Sequence, residues 1–226
     1  MSRKTANKKA SGAAGVGSLA QARASVPLER EPRTLREEQQ RATRYKLIQA
    51  AFKCFTHKGF HDTTIAEIVK AAGTSRATFY LHFAGKSEAL AASWAELEQS
   101  RMIEQWHKLD AMDPWTEAGI HGWMADMIDV WEDARNFAIA SNQAVSSNIE
   151  MSQQWFRGIS EYMEYVPNVL RRLAQDSDNP AYRFMMLCTQ MDRSVFMYLT
   201  ESFPGTRDEF VATLGEFWRD ALVERS

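Results

Sequence analysis

Three times the chain places a threonine three residues ahead of a glutamate at the front of an apolar period. The sites are Thr34-Leu35-Arg36-Glu37, Thr64-Ile65-Ala66-Glu67 and Thr206-Arg207-Asp208-Glu209. A hydroxyl at the cap and a carboxylate three residues on satisfy backbone N–H groups that a helix start leaves free. No run of residues reads as a strand, and no internal repeat occurs. The expected fold class is therefore all-α.

The apolar periods lay out the helices. Leu47, Ile48, Ala51, Phe52 and Phe55 share one helical face, and Gly59 stops that helix. A short helix follows from Thr64 to Ala72-Gly73, with Ile65, Ile68 and Val69 inward. Another starts at Thr74 or Ser75 and runs to about residue 81. A long helix is expected over about 86–109. Asp113 and Pro114 read as the cap and first residue of a helix to about 132. Further helices are expected over about 136–147 and 152–174. Asn179-Pro180 opens one to about 202, and Thr206 opens a last one to about 224. Residues 1–33 have no period and almost no large apolar residues, and read as a disordered basic tail. The domain reading is thus a tail over 1–33, a three-helix head over 34–85 and a six-helix body over 86–226.

Charge divides the chain in the same places. Residues 1–36 carry a net +6, residues 37–86 a net +4 and residues 87–226 a net −12. One end can approach a polyanion while the remainder is repelled by it, as in a nucleic-acid-binding module joined to another part. A basic tail on an acidic globule would give the same numbers. No apolar run is long enough for a membrane span. The first residues lack the apolar run of a secretory signal, so none is expected. Two cysteines, Cys54 and Cys188, exclude a disulfide scaffold and fit a reducing cytoplasm.

Helix, tight glycine turn and short helix is the helix-turn-helix arrangement. The third helix begins with small hydroxyl residues and keeps Phe79, Tyr80 and Phe83 at its far end, so it can enter a major groove tip-first. From Arg44 to Leu90 the segment resembles the TetR family of bacterial transcription regulators. The resemblance rests on Arg44-Tyr45-Lys46-Leu47-Ile48, Lys58-Gly59-Phe60, Thr63-Thr64-Ile65, Ala71-Ala72-Gly73, Thr74 through Phe83 and Lys86-Ser87-Glu88-Ala89-Leu90. Thr74 stands where valine is usual, and Ala77 where glycine is common. The resemblance implies DNA contacts by Thr64, Thr74, Ser75, Arg76, Thr78, Tyr80, His82 and Lys86. Arg76 would read a base edge, because a guanidinium can bond guanine O6 and N7 together. Lys86 would meet phosphate.

The body is rich in Trp, Met and Phe, which suits either a plain core or an adaptable cavity for an apolar ligand. Its C-terminal half resembles the mycobacterial ethionamide-resistance repressor branch. That resemblance implies a lining of Trp115, Gly119, Ile120, Trp123, Met127, Trp155, Ile159, Tyr162, Tyr165, Cys188, Met191, Val195 and Trp218. No charged residue stands among them, so an elongated apolar effector is expected. The last two helices are the family's dimer helices, with apolar faces at Phe184, Leu187, Met191, Phe196 and Leu199 and at Phe210, Leu214, Phe217 and Leu222.

Other polar constellations offer little chemistry. Gly59 separates His57 from His61, and Asp126, Asp129 and Asp133 read as a solvated helix face. Asp192-Arg193 reads as a structural ion pair. No nucleophile–base pair, phosphate loop, metal set or cofactor fingerprint occurs. The expected protein is a cytoplasmic, homodimeric repressor of a palindromic double-stranded DNA operator, released by a small apolar effector, with no cofactor and no enzymatic activity. The rival is a helical small-molecule-binding protein or enzyme with a relic head.

Overall fold

The computed structural model describes residues 34–97 and 99–223. Every regular element among them is helical. The helices are α1 (Leu35–Asp62), α2 (Ile65–Ala72), α3 (Arg76–His82), α4 (Lys86–Leu97), α5 (Gln99–Asp110), α6 (Glu117–Asp133), α7 (Arg135–Ser147), α8 (Ile149–Glu161), α9 (Pro167–Leu173), α10 (Pro180–Leu199) and α11 (Arg207–Leu222), with a 3₁₀ turn at Tyr162–Tyr165. The expected tail over 1–33 and the expected helix end at Glu224 lie outside the described residues. No described helix is long and apolar enough to cross a membrane.

The described residues divide into two units between Ala42 and Thr43. In the first, Thr34 N–H donates to Glu37 Oε2 at 3.0 Å and Glu37 N–H donates to Thr34 Oγ1 at 3.2 Å, the expected capping box. In the second, Gly59 interrupts α1 with φ 77° and ψ 176°. That positive φ is strained for any residue with a Cβ, so glycine is needed to end the regular turn there.

Two apolar clusters fill the second unit. One gathers Leu47, Ile48 and Phe55 of α1, Ile68 of α2, Phe79 of α3 and Leu90 of α4, and is completed by Phe137, Ala140 and Ala144 of α7. The head therefore has no closed core of its own: a body helix supplies one wall. The other cluster is the body's own, centred on Trp106, Trp123, Phe184 and Trp218.

Three boundaries differ from the sequence reading. α6 begins at Glu117, where the Thr116 hydroxyl accepts from Gly119 N–H at 3.1 Å, so Thr116 and not Asp113 is its cap. The expected helix over 152–174 is split into α8, the 3₁₀ turn and α9. Pro167 has no N–H to continue a helix and instead serves as the first residue of α9. Asn179 precedes α10 without a side-chain cap, although Pro180 holds the expected first position. α4 and α5 lie on either side of the undescribed residue 98, and among the described residues the split of 152–174 adds α9 and the 3₁₀ turn to the six helices expected in the body.

Candidate functional site

The head's second helix is fixed at both ends by its own residues. The Thr64 hydroxyl accepts from Glu67 N–H, while the Glu67 carboxylate accepts from Thr64 N–H at 2.9 Å. Glu67 also pairs with Lys58, and that hydrogen bond, followed by those from Thr64, holds the carboxyl down at about 2. At the other end Gly73 adopts φ 65° and ψ 37°, the left-handed conformation that closes a helix. The chain then turns directly into α3. Ser75 caps it, accepting from Thr78 N–H at 3.0 Å, and the Ser75 and Thr78 hydroxyls lie 2.9 Å apart.

α3 is anchored by one side. Phe79 is fully buried and packs on Phe83 at 5.5 Å between ring centroids. The opposite side presents Ser75, Arg76 and Tyr80 to solvent. Arg76 makes no hydrogen bond or ion pair among the described residues. Thr74, Thr78 and His82 are half-buried at the edges of this face. Burial, helped by the nearby Arg44 charge, lowers the His82 pKa and so favours the neutral imidazole. The result is an exposed guanidinium, a phenol and several hydroxyls on a short rigid helix, a set able to donate to phosphate and to base edges.

Lys86 is placed differently from an exposed phosphate contact. Its ammonium donates to the carbonyls of Phe60 (2.6 Å), His61 (3.1 Å) and Thr63 (3.1 Å) and lies over the Phe60 ring at 4.4 Å. All three of its protons are engaged. Burial lowers its pKa. The same joint is held from α7. Gln143 Oε1 accepts from Phe60 N–H at 3.1 Å, and Ser147 Oγ lies 3.1 Å from His61 Nε2. A Cβ at position 59 would stand 2.9 Å from Gln143 Oε1, a second reason for glycine there. The joint Gly59–Thr63, which sets where α2 begins, is thus gripped by two body helices.

α7 has another face. Ser141 and Val145 border a cavity of about 280 Å³ whose other walls include Leu90 and Trp94 of α4, Trp155, Gly158 and Ile159 of α8, and Tyr162. Gln154, Arg157 and Glu161 form its exposed rim. Tyr162 is buried, and burial pushes its phenol pKa upward. Trp94 also stacks near Trp131, Phe137 and Trp155, at 5.6, 6.3 and 5.8 Å between centroids.

Residues 47–92 match the family model of the bacterial regulatory proteins of the tetR family. Over that segment the chain is similar to the TetR family. The regulator SrpR of Pseudomonas putida is 24% identical over 78% of this chain and 84% of its own length. Among solved TetR-like structures, FadR of Bacillus subtilis in complex with stearoyl-CoA aligns with a TM-score of 0.59 and 18% identity, over 80% of this chain and 99% of that one. SmeT in complex with triclosan aligns with a TM-score of 0.50 and 25% identity, over 81% and 93%. SmeT is the repressor of a Stenotrophomonas maltophilia multidrug efflux pump.

Of the body residues singled out from sequence, the structure brings Trp155, Ile159 and Tyr162 together around the cavity. Ile120, Trp123, Met127, Cys188, Met191, Val195 and Trp218 are close-packed in the body's core. Trp115 borders an open groove beside Asp110 and Arg171, its indole donating to Leu109 O at 3.0 Å. Tyr165 meets His107 edge-on at 5.3 Å. Gly119 faces Met112, whose sulfur would lie 2.7 Å from an added Cβ. Sequence reading missed Trp94, Ser141 and Gly158 of the cavity and Gln143 of the joint. A mid-helix glycine at 158 is the one signal that pointed to open space, and nothing in sequence marks Gln143.

The acidic row on α6 is structural. Asp126 pairs with Lys108 at 3.4 Å, Asp133 with Arg101 at 2.6 Å, and Asp129 with Arg207. Asp192 does not form the expected close ion pair with Arg193. Burial raises its carboxyl pKa to about 7, opposed by the Arg193 charge and by a hydrogen bond from Asn142, while Arg193 lies over the Phe196 ring at 5.0 Å.

Proposed function

We propose that this chain is a homodimeric transcriptional repressor that acts in the cytoplasm, without enzymatic activity. It binds double-stranded DNA through α3 and lets go when a small, largely apolar effector enters the cavity. The observation that carries the reading is the position of α7. One helix completes the head's core with Phe137, Ala140 and Ala144, holds the joint with Gln143 and Ser147, and walls the cavity with Ser141 and Val145.

The physics is a population shift. A ligand that binds better when α7 is displaced loosens the Gln143 contact to the joint and tilts α2 and α3 away from the groove-matching position. α4, which carries Lys86 to the joint and Trp94 to the cavity, provides a second path. Apolar effectors fit the walls; of the ligands of the two similar structures, triclosan is largely apolar and stearoyl-CoA carries a long apolar acyl chain. Thr64, Thr74, Ser75, Arg76, Thr78, Tyr80 and His82 form the proposed DNA face, with Arg76 at a base edge. Lys86 braces the joint.

Dimerisation is assigned to α10 and α11. Most of their expected interface residues serve the monomer core: Phe184, Met191, Leu199, Phe210, Leu214 and Leu222 are all buried. What remains exposed is Tyr182, Met186 and Met197 on α10 and Phe217 on α11, an apolar face suited to a symmetry mate. A palindromic operator then follows from the two-fold axis, with half-sites about 34–36 Å apart or a multiple of that. Of the lining expected from the ethionamide-resistance branch, Trp155, Ile159 and Tyr162 are kept in the proposed effector site, because they border the cavity.

The test is a gel shift on the DNA upstream of the chain's own coding region, with and without triclosan, alongside sedimentation. A two-fold-symmetric footprint bound by a dimer and weakened by the compound is expected. Absence of sequence-specific binding would remove the reading.

A further inference from the structure

Ser141, which borders the cavity, carries a buried polar atom that the described residues leave unpaired. Helical serines and threonines normally return their hydroxyl to the carbonyl four residues earlier. Ser93, Ser160, Thr189 and Thr200 do this at 2.8, 3.0, 2.8 and 2.9 Å. Ser141 does not. Its Oγ is buried without any partner, and the residue is only 7% exposed. Among the described residues, four other buried side-chain atoms lack partners, at Thr56, Gln105, Trp106 and Trp131, and none of those residues borders the cavity. An unpaired buried hydroxyl costs free energy unless something pairs with it.

Two further features restrict what that partner can be. The volume of about 280 Å³ lies just below the ~300–1,000 Å³ typical of ligand pockets. Trp94, Trp155 and Tyr162 supply flat walls, and aromatic rings prefer offset or edge-on neighbours at the centroid distances these residues already keep. Of the polar groups on the cavity walls, the Ser141 hydroxyl is the one that is fully buried without a partner, which makes it the candidate polar anchor.

We propose that the cavity selects a compact aromatic compound bearing one hydrogen-bonding oxygen or nitrogen, which pairs with Ser141, and that it discriminates against long acyl chains. This rests on the reading of the cavity as the effector site and replaces the elongated ligand expected from sequence.

The test uses the full chain and calorimetric titration with three probes: 2-naphthol, its shape-matched analogue 2-methylnaphthalene, and palmitate. Wild type should bind 2-naphthol about fivefold more tightly than 2-methylnaphthalene, the worth of one ordinary hydrogen bond, and more tightly than palmitate. Ser141→Ala should erase that preference while leaving the melting temperature of the unliganded protein unchanged or raised, because an unpaired hydroxyl is removed. A structural serine would lower it. Gly158→Trp should abolish 2-naphthol binding, since nothing lies within 4 Å of a Cβ there and the indole can occupy the cavity. Palmitate binding more tightly than 2-naphthol, or no 2-naphthol binding at all, overturns the proposed ligand class. A preference that survives Ser141→Ala overturns the Ser141 anchor and leaves the effector site standing. 2-Naphthol binding that survives Gly158→Trp overturns both the proposal and the effector site.

Discussion

The head and the body are both helical and both rich in large apolar side chains, yet they encode their roles in different ways. In the head, a few residues with special backbone roles fix the geometry: Thr64, Gly73 and Ser75 set where α2 ends and α3 begins to within a residue. In the body, Trp106, Trp123, Trp155 and Trp218 are alike in chemistry, but three lie in the core and one borders a cavity. Local backbone rules act over a few residues and can be read in order along the chain. Whether an apolar residue meets a neighbour or a void depends on the packing of distant helices. The lesson is that a cap or a turn glycine carries its function on its face, while a tryptophan does not.

The sharpest contrast within the body is between its glycines. At Gly119 an added Cβ would meet Met112 Sδ at 2.7 Å and Thr116 Oγ1 at 3.0 Å, while at Gly158 it would meet nothing within 4 Å. Met112 can swing aside for a methyl group but not for an indole. Gly119→Trp should therefore cost about 3 kcal/mol or more by overpacking, with a fall in melting temperature of roughly 6–12 °C. Gly158→Trp should melt close to wild type. Equal melting temperatures would erase the distinction between packed core and open cavity.

Lys86 tests the boundary between head and body. Lys86→Met keeps the length of the side chain and removes three donors from the joint. Leaving those carbonyls underpaired should cost about 1–3 kcal/mol, seen as a lower melting temperature. A phosphate contact would instead leave stability unchanged and reduce the salt slope of DNA binding by about one unit. Melting and salt titration of the same variant separate the two.

Much of the head was legible before any coordinates. Its capping boxes, its two turn glycines and the exposed position of Arg76 follow from short-range rules. The joint was not. Gln143 reaches Phe60 N–H across more than eighty residues of sequence, and glutamine in a helix carries no local signal of such a bond. Trp94 and Ser141 escaped for the same reason. The apolar period over 152–174 continues through Tyr162 and Val166 and so suggests one helix, but Pro167, which has no N–H, starts a new one.

Arg76→Ala should weaken specific DNA binding by about 1–3 kcal/mol and relax discrimination at one base step per half-site, with little effect on nonspecific binding. Equal loss on operator and scrambled DNA would make Arg76 a phosphate contact. Gln143→Ala should have the smallest effect. It removes one hydrogen bond worth about 1 kcal/mol and leaves α3 itself intact. The melting curve should shift by only a few degrees, while operator affinity changes more than nonspecific affinity. If both affinities stay at wild-type values, the joint is not set from α7.

The most direct test of the account is the operator affinity of Gly158→Trp with no compound added, measured by fluorescence anisotropy on the chain's own upstream DNA. The account predicts a folded protein with wild-type melting and at least severalfold weaker operator binding, because an indole in the cavity displaces α7 as an effector would. A folded Gly158→Trp protein that binds the operator as tightly as wild type would contradict it.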